Sequence, residues 1–191
     1  MAQSSPPEER FNRLWREHAA AVLRYARRRV AEEQADEVVA ETFVVAWRRL
    51  DEIPSPALPW LFGVARRVSA NIRRADRRRD ALHDRIAGRA PWGTPDGAGA
   101  DGAAPVTTAL AHLSDDDREL LMLLAWDGLT RPEAAAALGC SRGTLAVRLH
   151  RARHRLKAVM TRLAHEDTPP AGDRAAAADH PSARAAHGGL R

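Results

Sequence analysis

The stretch from Leu129 to Leu149, LTRPEAAAALGCSRGTLAVRL, decides how this chain is read. Thr130 and Glu133 have capping-box spacing, and Pro132 falls in a first helical turn, where a missing N–H costs nothing. A short helix carrying small Ala135 comes next, then a turn at Gly139, where a positive backbone angle is allowed, then Ser141 as the cap of a second helix containing Leu145. This is helix-turn-helix spacing: the small residue lets two helices cross closely, and the second projects into a major groove. Exposed positions of that second helix are expected to include Arg142, Thr144, Arg148 and Arg151, with phosphate contacts from Arg153, Arg155 and Lys157. Read without context, the same stretch is a small hairpin with a solvated basic face.

Upstream, Ser114 precedes Asp115, Asp116 and Asp117, an N-cap followed by acids that the helix dipole favours. Leu120, Leu121, Leu123, Leu124 and Trp126 supply the apolar body of that helix, which Asp127 and Gly128 end. The amino-terminal half repeats helical periodicity. Phe11, Leu14, Trp15, Val22, Tyr25, Ala26 and Val30 recur at three- and four-residue steps, as do Val39, Phe43, Ala46, Trp47 and Leu50. Prolines then interrupt at DEIPSPALP, Pro59 suits a first turn, and Leu61, Val64, Ala65, Val68 and Ile72 define a third helix.

Length and composition agree with helices. The chain has 191 residues, and 39 of its hydrophobic residues are Ala against 3 Phe, 1 Tyr and 3 Met, so Ala-lined helix packing is expected rather than a broad sheet core. A large multidomain enzyme is excluded. The net charge is +5 and 29 of the 30 cations are Arg, which favours planar, phosphate-directed contacts. Seven Arg lie within residues 66–79 against one acid, and residues 141–163 carry six Arg and Lys157 with no acid. Between these blocks, GRAPWGTPDGAGADGAAP reads as a flexible linker, and the stretch from about Thr168 onward as a disordered tail. The expected fold is therefore all-α, with two small helical domains at residues 10–80 and 106–163, a linker at 81–105 and a tail at 164–191; the second domain contains the helix-turn-helix.

The single Cys140 cannot form an internal disulfide or supply a zinc cage, and it sits where a turn wants an apolar residue. His150 and His154 lie one turn apart, but HRARH lacks the Glu of a zinc-protease helix, and phosphate-facing roles suit them better. No metal and no cofactor is expected. Nothing resembles a nucleotide loop or a catalytic triad, so the chain is not expected to be an enzyme. It has no apolar run near the ~20 residues needed to cross a bilayer, and MAQSSPPEER has neither a basic start nor an apolar stretch, so a cytoplasmic protein without membrane insertion is expected.

Four blocks, RLWREHAAAVLRYARRRV, DEVVAETFVVAWRRLDEIP, ALPWLFGVARRVSANIRRADRRR and LAHLSDDDRELLMLLAWDGLTRPEAAAALGCSRGTLAVRLHRARHRL, together resemble an extracytoplasmic-function sigma factor, a two-domain member of the bacterial sigma-seventy superfamily. The resemblance implies that the first lobe is domain two and the second domain four. It implies transcription initiation, with core RNA polymerase (its beta-prime clamp helices and beta flap) and promoter DNA as partners, and leaves a place for an anti-sigma factor. Glu37, Val38, Ala40, Glu41 and Phe43 match the clamp-binding motif; without the resemblance, Glu41 is simply a solvated helix charge. Asp51 to Pro59 match the loop that captures an extruded base of the minus 10 element. Trp60, Arg66, Arg67, Asn71, Arg73 and Arg74 match the helix along the melted strand, although Trp60 equally suits a core anchor. Arg142, Thr144, Ala146, Val147, Arg148 and Arg151 match the minus 35 reader, with apolar Ala146 and Val147 where relatives often carry polar side chains. The rival is an autonomous helix-turn-helix regulator that binds an operator as a dimer.

Overall fold

The computed structural model describes residues 6–86 and 104–166, and the described residues contain seven α-helices, one 3-10 turn and no strand. The first three are α1 (Pro7–Arg27), α2 (Glu32–Arg48) and α3 (Leu58–Ile86). Charge placement suits these ends: Glu8 and Glu9 open α1, Arg24 and Arg27 close it, and Glu32 and Glu33 open α2, each sign matched to its end of the helix dipole. Pro59 lies in the first turn of α3, as its missing N–H allows. α3 continues six residues past the expected end of the first lobe, because the ALHDRI stretch at residues 81–86 contains neither Gly nor Pro to break it.

The second group is α4 (Ala104–Ala111), α5 (Asp115–Ala125), α6 (Arg131–Leu138) and α7 (Arg142–Glu166). Ser114 caps α5 by accepting the Asp117 N–H at 3.3 Å. At the start of α6, the Thr130 N–H and hydroxyl donate to the Glu133 carboxylate at 2.8 and 2.6 Å. Gly139 ends that helix at φ +64°, and the Cys140 N–H reaches back to the Ala135 carbonyl at 3.0 Å. A side chain at Gly139 would strain this left-handed turn, which aims α7 across α6. Ser141 then caps α7, accepting the Thr144 N–H at 3.0 Å. Cys140 is half-buried against the core. The rest of the expected linker and tail, residues 87–103 and 167–191, lies outside the described residues.

The two lobes are packed on each other. Tyr25, Phe43, Leu61 and Phe62 of the first belong to the same buried cluster as Leu120, Leu123, Ala134 and Leu145 of the second. Each of the Leu and Phe side chains among them contributes on the order of 2 kcal/mol when removed from water. The seam runs along α3 and α6, where a methyl group added at Gly63 would stand 3.0 Å from the Ala137 carbonyl oxygen. Gly63 on one helix and Ala134, Ala135 and Ala137 on the other allow this approach.

Three tryptophans depart from the expected core. Trp15, Trp47 and Trp126 are 42%, 46% and 43% exposed. Trp47 meets Phe11 edge-on with ring centres 5.2 Å apart, and Trp15 meets Phe43 at 4.6 Å, so both rings cap the α1–α2 seam from outside. Trp126 follows the last residue of α5, where the chain turns away from the buried stripe.

Candidate functional site

Three surfaces hold the residues singled out from the sequence. On α2, Glu37, Ala40 and Glu41 are exposed, and the two acids make no ion pair among the described residues. Val44 joins the surface at 41% exposure, a position the motif did not include. Val38 and Phe43, expected beside them, are instead 0% and 2% exposed. At about 100° per residue, a motif spanning residues 37–43 must face both ways, and these two side chains carry the helix into the core.

The second surface begins at the loop before α3. Arg10 donates to Asp51 at 2.7 Å and to the Leu50 carbonyl at 3.2 Å, while Arg49 donates to Glu52 and holds that carboxylate below its ordinary range. These contacts rim a shallow depression of about 220 Å3 lined by Pro7, Trp47, Arg49, Leu50 and Asp51. Trp60 is half-buried against the core, as an anchor at the start of a helix would be, with the Arg49 guanidinium 5.8 Å from its ring centre. Further along α3, Arg67 donates to the Gly63 carbonyl at 3.1 Å, Arg73 to the Arg29 carbonyl at 3.3 Å, and Arg74 to Asn71. Arg66 and Arg77 reach Asp116 and Asp115 of α5, at 3.3 and 3.5 Å. Seven clustered cations need anions, and α5 supplies two of them.

The third surface is the outer side of α7. Leu145, Leu149 and Ala152 are buried, which leaves Arg142, Thr144, Ala146, Val147 and Arg151 exposed. The Thr144 hydroxyl is engaged with the Ser141 hydroxyl at 2.9 Å. Arg148 is half-buried and reaches Asp116 at 3.5 Å, while Arg155 donates to Asp117. Arg153 and Lys157 are exposed and, with Arg131, His150 and His154, edge a groove of about 410 Å3 floored by Ala146 and Leu149. Among the described residues no group of three or more acids, His or Cys could hold a metal ion.

Beneath these surfaces lies a buried polar cluster that the sequence reading missed. Glu119 accepts from the Tyr25 hydroxyl at 2.8 Å and from Arg29 Nε at 2.7 Å; Asp127 accepts from Arg29 at 2.7 Å and also from Arg28. The Arg29 guanidinium lies 3.5 Å from the Tyr25 ring centre, and that ring stacks on Phe62 at 4.9 Å. Burial first, then the Glu119 charge, pushes the Tyr25 hydroxyl well above its ordinary range, so it remains a neutral donor. Each hydrogen bond to Glu119 or Asp127 joins α1 or its end to the far lobe across 90 to 99 residues of sequence. The available signal was a charge, Arg29, in step with the apolar positions Val22, Tyr25 and Ala26.

Comparison with known proteins follows the same two-part division. Residues 14–79 match the family model Sigma-70 region 2, and residues 104–156 match Sigma-70, region 4. The ECF RNA polymerase sigma factor SigL of Mycobacterium tuberculosis is 33% identical over 156 residues, covering 78% of this chain and 88% of that protein. The RNA polymerase sigma factor CnrH of Cupriavidus metallidurans is 31% identical over 174 residues, covering 83% and 91%. Among solved structures, the sigma factor RpoE from Bartonella quintana, in complex with the anti-sigma factor NepR, superimposes with a TM-score of 0.59 at 26% identity, covering 79% of this chain and 96% of that one. The autonomous regulator gives way to this set of relatives. Two family regions in order, with sigma factors that match over nearly their whole length, make this chain a member of the extracytoplasmic-function sigma factors of the sigma-70 superfamily.

Proposed function

We propose that the three surfaces divide the work of this sigma factor in directing core RNA polymerase to promoters and helping to open them. Glu37, Ala40 and Glu41 meet the beta-prime clamp helices, where exposed acids suit a basic helical partner. The segment from Asp51 to Pro59, which leads into α3, and the α3 residues Trp60, Arg66, Arg67, Asn71, Arg73 and Arg74 receive the minus 10 strand: opening a duplex requires stacking surfaces and cations that bind the separated strand more tightly than the paired one. The α7 residues read the minus 35 element. Ala146 and Val147 offer a thymine methyl an apolar contact and no hydrogen bond. The second lobe also meets the beta flap, and an anti-sigma factor, of the kind bound to the RpoE neighbour, is a further partner. The protein performs no covalent step, which belongs to polymerase, and it acts in the cytoplasm.

The observation that carries this reading is the split character of α7. Three apolar residues anchor one side while arginines and small side chains occupy the other, as a helix laid into a major groove requires. Transcription by core polymerase with and without the chain, from a library of minus 35 variants, tests it. Arg148→Ala is expected to relax discrimination by ~1 to 3 kcal/mol at one base pair if the side chain is bidentate to a base. Unchanged discrimination with a smaller salt slope would make Arg148 a phosphate contact instead.

A further inference from the structure

Two sides of α7 carry charge, and only one of them is neutralised within the chain. At about 100° per residue, Arg148 and Arg155 fall on one side, where they meet Asp116 and Asp117 of α5. His150, Arg153, His154 and Lys157 fall on the opposite side, exposed and without an ion pair among the described residues. With Arg131 of α6, these four edge the groove of about 410 Å3 floored by Ala146 and Leu149.

No acid faces this groove. Of the helices packed against α7, α4 has no charged residue, and α6 holds only Arg131 and Glu133, whose carboxylate is turned back on Thr130 as a cap. On α5, Asp116 and Asp117 meet the far side of α7, while Asp115 and Glu119 reach Arg77 and Arg29 of the first lobe. Three permanent cations and two imidazoles therefore converge with no counter-charge from the chain, which leaves the place open to an outside anion. Ala146 points to DNA as its source. That residue floors the groove and also belongs to the minus 35 face, so a duplex lying on the face carries its phosphates past the basic rim.

The histidines set this rim apart from an ordinary basic edge. An imidazole changes its charge between pH 5 and 8, whereas Arg and Lys stay charged throughout. The neutral ring has one donor and one acceptor; the protonated ring donates from both nitrogens and carries a charge that phosphate attracts. His150 and His154, four residues apart, share one face of the helix. A phosphate in the groove favours the protonated form of both rings, and by reciprocity protonation strengthens the hold on phosphate.

We propose that DNA binding by the second lobe is coupled to proton uptake at His150 and His154, with Arg131, Arg153 and Lys157 completing a phosphate clamp, so that binding tightens as the pH falls. The proposal rests on the minus 35 reading of α7. It adds a response to pH that exposed arginines alone do not have.

The full-length chain is titrated onto a fluorescent duplex of random sequence between pH 6 and pH 8, in EDTA and at constant ionic strength. Phosphate contacts carry no sequence information, so a random duplex suffices. The wild type is expected to bind about tenfold more tightly at pH 6 than at pH 8, a coupling of ordinary size between two ligands. His150→Gln with His154→Gln should keep the helicity and, within about twofold, the pH 8 affinity, and lose the gain at pH 6. His150→Lys with His154→Lys fixes the charged form and should bind at pH 8 about as tightly as the wild type does at pH 6. A purely structural role for the two rings would not be rescued in this way. No response to pH in the wild type, or an equal response in the Gln pair, overturns the proposal. So does proton-linked binding of poly-L-glutamate alongside pH-independent binding of duplex, which would assign the groove to an acidic peptide. Promoter-dependent transcription by the wild type with core polymerase is measured in parallel. Its absence refutes the sigma-factor reading, while the duplex titration judges the proton linkage separately.

Discussion

The acids of α2 and those of α5 are the same chemistry put to opposite uses. Glu37 and Glu41 stand exposed without an ion pair among the described residues, whereas Asp115, Asp116, Asp117 and Glu119 each face an arginine. An acid opposite the chain's own cations is already engaged; an acid left open is available to another molecule. Removing acids from the two helices should therefore produce different failures, one of folding and one of assembly.

The largest effect belongs to Glu119→Ala. It leaves the Arg29 guanidinium, 2% exposed, and the Tyr25 hydroxyl without their principal acceptor, and breaking such a buried pair from one side costs about 3 to 5 kcal/mol. Urea unfolding followed by helicity reads this loss, and a shift below ~1 kcal/mol would mean that Asp127 alone satisfies Arg29. Glu41→Arg comes next and has the opposite character. Stability should stay within ~0.5 kcal/mol, as for most surface substitutions, while binding to core polymerase weakens at least about tenfold because a cation then faces a basic helix. Normal capture of core polymerase would remove Glu41 from that contact.

The smallest effect concerns Glu133, an acid with a purely local duty. The Thr130 hydroxyl, then its backbone N–H, hold the Glu133 carboxylate below its ordinary range. A depressed carboxylate contributes stability above its unfolded pKa and loses it as pH falls through the folded one. Thr130→Ala should therefore cost about 1 kcal/mol at pH 7, and the gap from wild type should shrink as the pH drops through the carboxylate range. A gap that stays constant with pH would mean that only the neutral part of the cap matters.

How far the sequence could be read depended on the range of each interaction. Ser114, Thr130, Gly139 and Ser141 act on atoms within five residues, and each performs the turn or cap expected of its type. Periodicity found the buried stripes of α1 to α3 but could not separate Phe43, wholly inside, from Trp47, half outside, because neighbouring positions on a seam share one period. Val38 was misplaced because a family motif records which residues recur, not which way each one faces. The Arg29, Glu119 and Asp127 cluster left almost no local trace, since its partners lie 90 and 98 residues apart and meet only when the lobes dock. The same holds for the pairing of Asp116 with Arg66 and Arg148.

The Asp116 bridge also bears on any attempt to count DNA contacts by titrating salt. Each phosphate that a cation neutralises ordinarily releases condensed counterions from the duplex, and the slope of affinity against salt counts them. On the proposed reading, in which Arg66 and Arg148 meet phosphates, both must first leave the Asp116 carboxylate, which then gathers small cations from solution. Ion uptake at the vacated acid offsets part of the ion release at the DNA. The measured slope for the intact chain should therefore understate the number of phosphates it touches.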